Sequence, residues 1–136
     1  MTMNGNFSVF DISGRAMSAQ LVRLNTTASN LANAGTIAGS EAGAYRAMKP
    51  VFRTVMDEGG RATVAVDRVT QTKMAPSKRH DPNNPLADKD GNVWEAAVDS
   101  AAELVEMVET ARQYQNNVQV LETAKGLINE TLRMGQ

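Results

Sequence analysis

The sequence predicts a mainly α fold with a small β insert. Long N- and C-terminal helices pack together as a coiled-coil-like pair, with a hairpin and a loop in the middle. Three observations point to this. Apolar residues recur at steps of three and four at both ends of the 136-residue chain, as on one face of a helix. Between these ends the period falls to two, the period of strands. Charge changes at the same borders. Residues 1–40 carry only Asp11, Arg15 and Arg23, residues 41–94 hold seven acids and nine bases, and residues 95–136 hold seven acids and three bases. The resulting division is an N-terminal helix over 1–35, an insert over 36–98 and a C-terminal helix over 99–136.

The first helix is expected over residues 9–34. Phe7, Phe10, Gly14, Met17, Leu21, Leu24, Ala28 and Leu31 form a stripe with a period near 3.5. Ser8 and Asp11 have the spacing of a capping pair, and Gly35 is placed to end the helix. The face opposite the stripe carries Ser18, Gln20, Asn25, Thr26, Ser29, Asn30 and Asn33 where lysines and glutamates are usual. The stretch "TASNLANAGT" has no charge at all. A solvated polar end is one reading of it. The other is burial on several sides, because amides and hydroxyls satisfy hydrogen bonds in places where a charge is expensive.

The middle alternates. "AYRAMKPVFRTVM" and "ATVAVDRVTQ", separated by the turn signal "DEGG", read as a short hairpin, with Pro50 at an edge or a bulge. "APSKRHDPNNPLADKDGNV" reads as a proline-rich loop containing a tight turn at Asp90-Gly91. Trp94, the one tryptophan, is expected to pack the loop onto the helix base.

The last helix is expected to start at a capping box formed by Ser100 and Glu103. It runs to about Arg133 without proline, for a length of roughly 50 Å. Leu104, Met107, Ala111, Tyr114, Val118, Leu121 and Ile128 make its stripe. Val105, Val108, Val120, Ala124 and Leu127 broaden it, and Lys125 interrupts a strict seam. Asp99, Glu103, Glu106 and Glu109 crowd its first turns, where the helix dipole favours anions. They read either as a solvated acidic face or as a docking surface for a basic partner.

Composition excludes several functions. The net charge of −1 argues against a nucleic-acid binder, which shows a basic stripe. There is no cysteine, hence no disulfide framework and no thiolate zinc site. No apolar run is long enough for a membrane helix. The first residues have neither a basic n-region nor an apolar h-region, which argues against a cleaved signal. "DKDGN" at 88–92 resembles a calcium loop, but the sixth residue from Asp88 is Val93 where that loop needs glycine. A turn is the expected reading. His80, beside Asp81, is the one histidine, and nothing supplies it with a nucleophile or a substrate pocket. No phosphate-binding loop is present. No catalytic, cofactor or metal site is predicted, and no small-molecule substrate.

"ASNLANAGT", in which an N-L-A-N core ends the first helix, resembles the signature of flagellar rod and hook proteins. "NPLADKDGNV", "EMV", "ARQYQNNVQVLETAKGLI" and the final "LRMGQ" are similar to the proximal-rod branch of that family. The resemblance covers nearly the whole chain. Asn30, Leu31 and Asn33 match the N-terminal motif, and Glu106, Met107, Val108, Arg112, Tyr114, Asn117 and Val118 match the C-terminal one. It implies a structural subunit, exported through the flagellar type III apparatus without signal cleavage and polymerised in the periplasm. The terminal helices would form an inner tube around the export channel, and the middle part would face outward. The implied partners are other rod subunits of the FlgB, FlgF, FlgG and FliE types, copies of the chain itself and the export apparatus. The expected assembly interface comprises Phe10, Met17, Leu21, Leu24, Asn30, Leu31, Asn33, Met107, Arg112, Tyr114, Asn117, Val118, Leu121 and Ile128. Two other readings compete: a cytosolic helical-hairpin adaptor or chaperone, whose helix faces would be charged, and a small enzyme with a helical lid, which would need a polar constellation.

Overall fold

A computed structural model describes residues 8–135; Phe7, the first residue of the expected stripe, lies outside them. Helix α1 runs Val9–Asn33. It begins at a reciprocal cap. Ser8 Oγ accepts from the Asp11 N–H at 3.1 Å, and Asp11 Oδ2 accepts from the Ser8 N–H at 2.9 Å. These bonds occupy backbone donors that the first turn of any helix leaves free. Hydrogen bonds from the Ser8 backbone and then its hydroxyl hold the Asp11 carboxyl below its ordinary value of 3.8. The other end differs from expectation. Ala34 caps the helix in the right-handed region, and Gly35 does not take a left-handed conformation. Side chains close the end instead. Asn33 Nδ2 donates to the Ser29 carbonyl at 2.8 Å, and Thr36 Oγ1 donates to the Asn33 carbonyl at 2.7 Å.

Helix α2 spans Ser100–Met134, 35 residues, or about 52 Å at 1.5 Å per residue. Its cap is one residue earlier than the spacing suggested. Asp99 Oδ1 accepts from the Ala102 N–H at 3.2 Å, so Ser100 is already helical. Glu103 is thereby released from capping and turns inward. The two helices lie antiparallel. Gln20 Nε2 donates to Gln113 Oε1 at 2.8 Å, and Arg23 pairs with Glu106.

Between the helices stand five strands: β1 (Ile37–Ala38), β2 (Met48–Met56), β3 (Ala62–Gln71), β4 (Ser77–His80) and β5 (Asn92–Glu95). They form two antiparallel sheets, the hairpin β2-β3 and a three-stranded sheet in the order β1-β5-β4. Strand accounts for 24% of the structure against 47% for helix. The expectation of a mainly α chain with a small β insert is therefore corrected: the β layer is a substantial part of the molecule. The hairpin is the part that alternation revealed. It turns at Asp57–Arg61, and a register shift between Val51 and Phe52 comes directly after Pro50. In the second sheet, β4 and the start of β5 lie in the stretch expected to be loop. Its β4 is only four residues long and wholly exposed, and β1 has two residues. Neither has an apolar alternation to read. Pairing there is set by the turn before β5, where Asp88 Oδ1 accepts from the N–H groups of Asp90 at 2.9 Å and Asn92 at 2.8 Å. The carboxylate that resembled a calcium ligand is occupied by backbone. Gly91 completes the turn at φ +77, a conformation costly for a residue with a Cβ, and a Cβ there would also stand 3.0 Å from Pro82. Trp94 is half-buried in β5, opposite Ala38 in β1 and Lys78 in β4, and so belongs to the central strand of a sheet rather than to a loop.

Backbone ties the segment before β2 to the one between β5 and α2. Ala47 N–H donates to the Ala97 carbonyl at 3.1 Å, and Ala97 N–H to the Tyr45 carbonyl at 2.8 Å. The buried apolar core is small. The buried apolar residues among those described are Ala19, Ala44, Ala47, Val93 and Ala97.

The N-terminal cap has a pH signature. Because the folded value of Asp11 lies below its unfolded value, its contribution is present above pH 3.8 and is lost as pH falls through the lowered value. Far-UV circular dichroism of the parent chain is expected to show less helix in that window than at neutral pH. The Asp11→Asn variant should lose less over the same window. Identical pH profiles for the two chains would sink this assignment.

Candidate assembly surface

The face that α1 turns toward α2 is its polar one. Ser13, Gln20, Arg23, Thr27 and Asn30 succeed one another at helical steps, and Ser13, Thr27 and Asn30 are buried. The facing positions on α2 are Glu103, Glu106, Thr110 and Gln113, with Glu103 and Thr110 buried. Small side chains let the two backbones approach, and amides and one ion pair fix the register. Thr110 satisfies its own hydroxyl, donating to the Glu106 carbonyl at 2.7 Å.

The apolar stripe of α1 is therefore displaced from the helix seam. Phe10 and Leu21 are exposed, and Met17, Leu24 and Leu31 are half-buried. On α2, Met107, Tyr114, Asn117, Val118 and Leu121 are half-buried, whereas Arg112 and Ile128 are exposed. The most open apolar side chains lie outside the expected set. Val105 and Val108 are each 59% exposed, and Leu127 is 61% exposed. Leu104, Val120 and Leu132 are also open. Near the start of α1, Val9 shares a shallow groove with Val120, Ala124 and Leu127. A second cleft, between α1 and β3, is walled by Phe10, Ala19, Val22, Val64 and Val66. Isolated apolar residues on a surface are ordinary; here several lie open along both helices.

Asn30 stands apart from these. It is 1% exposed. Its Oδ1 accepts from the Met48 N–H at 2.8 Å and from the Tyr45 hydroxyl at 2.8 Å, and its Nδ2 donates to the Met48 carbonyl at 2.9 Å. One amide thus clamps the first residue of β2 to the last turns of α1. Sequence reasoning singled out Asn30 but not Tyr45 or Met48, which lie 15 and 18 residues away and carry no motif. Asn33 turns instead to its own helix. The pairs Gln20–Gln113 and Arg23–Glu106 were also missed, being separated by 93 and 83 residues with no local signal.

An antiparallel pair of terminal helices, with a polar seam and apolar outer faces, defines a class of protein that packs against neighbours through its ends. Comparison with known proteins names it. Residues 10–36 match the family model "Flagella basal body rod protein", and residues 89–134 match "Flagellar basal body rod FlgEFG protein C-terminal". The flagellar basal-body rod protein FlgC of Salmonella typhimurium is 41% identical over 131 residues, covering 95% of this chain and 97% of that protein. FlgC of Yersinia enterocolitica is 43% identical over 132 residues with the same shares. That of Aquifex aeolicus is 32% identical over 127 residues, 92% and 93% of the two chains. The chain belongs to the flagellar basal-body rod proteins, FlgC type, and is a structural subunit of the flagellar rod.

The clamp is testable in the isolated chain. Asn30→Leu leaves the Met48 N–H and carbonyl without partners, and each buried group left unpaired costs about 1–3 kcal/mol. Asn33→Leu removes a single bond to a helix end and is expected to cost about 1 kcal/mol. Urea unfolding should separate the two by at least the cost of one unpaired group. Equal midpoints would refute the assignment of the clamp to Asn30.

Proposed function

We propose that this rod subunit polymerises through its paired terminal helices, with α1 and α2 as the inner layer around an export channel and residues 36–98 facing outward. The observation that carries this reading is the group of open aliphatic side chains on one side of α2: Leu104, Val105, Val108, Val120 and Leu127. Apolar side chains left open in this number belong against other subunits. Its neighbours in this reading are copies of the chain and other rod subunits of the FlgB, FlgF, FlgG and FliE types. The subunit reaches them through the flagellar type III export apparatus, without a cleaved signal, and assembles in the periplasm. Its role is mechanical, that of a drive shaft, and the chain carries out no catalysis. The expected interface residues divide between two tasks under this proposal. Phe10, Leu21, Arg112 and Ile128 are open to neighbours. Met17, Leu24, Leu31, Met107, Tyr114, Asn117, Val118 and Leu121 lie at the border between the helix pair and the next subunit, and Asn30 and Asn33 hold the end of α1 in shape.

Because Val108 and Leu127 are open in the single chain, placing a carboxylate at either should leave its fold intact. In the polymer the same carboxylate is buried without a partner, at a cost of several kcal/mol. Val108→Asp and Leu127→Asp are therefore expected to keep the parent's circular dichroism and to be produced normally. In a strain lacking the native protein they should yield neither swimming nor complete rods. Normal rods from both variants would overturn the inner-layer reading.

A further inference from the structure

The helix pair exposes unlike surfaces on its two opposite sides. On α1 a cleft of about 540 Å³ opens toward β3, lined by Phe10, Gly14, Ser18 and Val22 of the helix and by Val64 and Val66 of the strand. At about 100° per residue, Gly14, Ser18 and Val22 lie roughly opposite Gln20, Arg23 and Thr27, which belong to the face turned toward α2. On α2 the outward side is a ridge. Leu104, Val105 and Val108 are each more than half exposed. They lie roughly opposite Glu106, Thr110 and Gln113, the positions that face α1.

Gly14 has no use within its own chain. It stands inside α1, where glycine weakens a helix. A Cβ built on it would meet no other described part of the protein within 4 Å. A missing side chain lets another backbone come close, and here the open space lies outside the chain. We propose that the ridge of Leu104, Val105 and Val108 on one copy seats in the α1–β3 cleft of the next copy, as a helix in a groove. The occupant is a second copy because ridge and cleft both belong to this chain and lie on opposite sides of the helix pair. Each copy then presents one surface and receives the other. Such a contact joins unlike surfaces and so propagates from copy to copy instead of closing a two-fold dimer. The charges agree with it. Asp11 and Arg15 border the cleft, and Glu109 and Arg112 follow the ridge. With one acid and one base on each, neither surface carries a net charge to repel the other. The inference rests on the proposed inner-layer assembly and adds to it the surface that receives this part of α2.

The test uses the lack of cysteine in the chain. Ser18→Cys, in the cleft, and Val108→Cys, on the ridge, are both close in size to the residues they replace. They are placed on separate copies and co-produced in a strain lacking the native protein. Oxidised basal bodies are expected to contain a disulfide dimer of this chain, absent when either variant is produced alone. Rods that assemble without that dimer would overturn the proposal. Gly14→Leu tests the cleft by filling it. The thermal midpoint of the isolated chain is expected to equal or exceed the parent's, while swimming and complete rods are lost. A lowered midpoint would mean that Gly14 serves its own fold, and normal swimming would mean that nothing enters the cleft; either result counts against the seating. If Val108→Asp still blocks assembly in that case, the inner-layer reading survives and only this contact is lost.

Discussion

The structure depends on one amide. Asn30 is the point at which a helix, a loop and a hairpin are made to agree, because its oxygen accepts two hydrogen bonds and its nitrogen donates a third to the same backbone residue. β2 begins where it does because Met48 has both its N–H and its carbonyl committed to that side chain. A charged residue at this position would bring a desolvation cost of several kcal/mol, and a hydroxyl is too short to reach both groups. An asparagine offers donor and acceptor together without charge. This explains the composition of "TASNLANAGT". The amides and hydroxyls close the helix end and hold the start of the hairpin against it, and the small residues between them let the hairpin approach.

A second constraint comes from how little apolar volume the chain buries. Four alanines and one valine make up the buried apolar core among the described residues. Burying one methylene-sized group stabilises by about 0.8 kcal/mol, against about 1.5–3 for a leucine or phenylalanine side chain. The large apolar side chains are there, but they are half-buried or open along the outer faces of α1 and α2. The seam between the helices is made of Ser13, Gln20, Arg23, Thr27, Glu106, Thr110 and Gln113, which hold register more than they drive association. Much of the apolar surface is thereby left on the outside of the single chain. This arrangement suits a rod component, whose final environment is other chains.

The parts of the fold legible in the sequence are those whose physical signal is local. The cap of α1 is written in Ser8 and Asp11, three residues apart, and the hairpin in the alternation of residues 62–71. The second sheet was not legible. Ser77–His80 is a strand because the Asp88 turn folds Asn92–Glu95 back against it, and its own side chains are exposed and polar. The helix seam was misplaced for a related reason. Periodicity identifies the most apolar face, and in a solitary domain that face is the buried one. Here the most apolar face of α1 serves a different surface from the one α2 occupies. The candidate interface residues came from the stripe and the motif resemblance. The cavity around Glu103 came from neither, because its acid read as half of a capping box.

That last displacement bears on how the helix works. A cap at Asp99 instead of Ser100 changes what the first turn asks of Glu103. With Ser100 as the cap, Glu103 would fold back to the helix end and spend its charge on a backbone N–H. With Asp99 as the cap, the Glu103 N–H makes the first helical bond, to the Asp99 carbonyl at 3.0 Å, and Glu103 stands one position past the place from which a side chain reaches back to the cap. It lines the cavity between α1, α2 and β2 with Arg23, Lys49 and Glu106. A shift of one residue at the start of α2 thereby moves Glu103 from a capping position to the side of the helix that packs toward α1 and β2. The faces of α2 are set by packing: Glu106 and Gln113 meet Arg23 and Gln20 of α1, and at about 100° per residue this turns Val105 and Val108 away from α1.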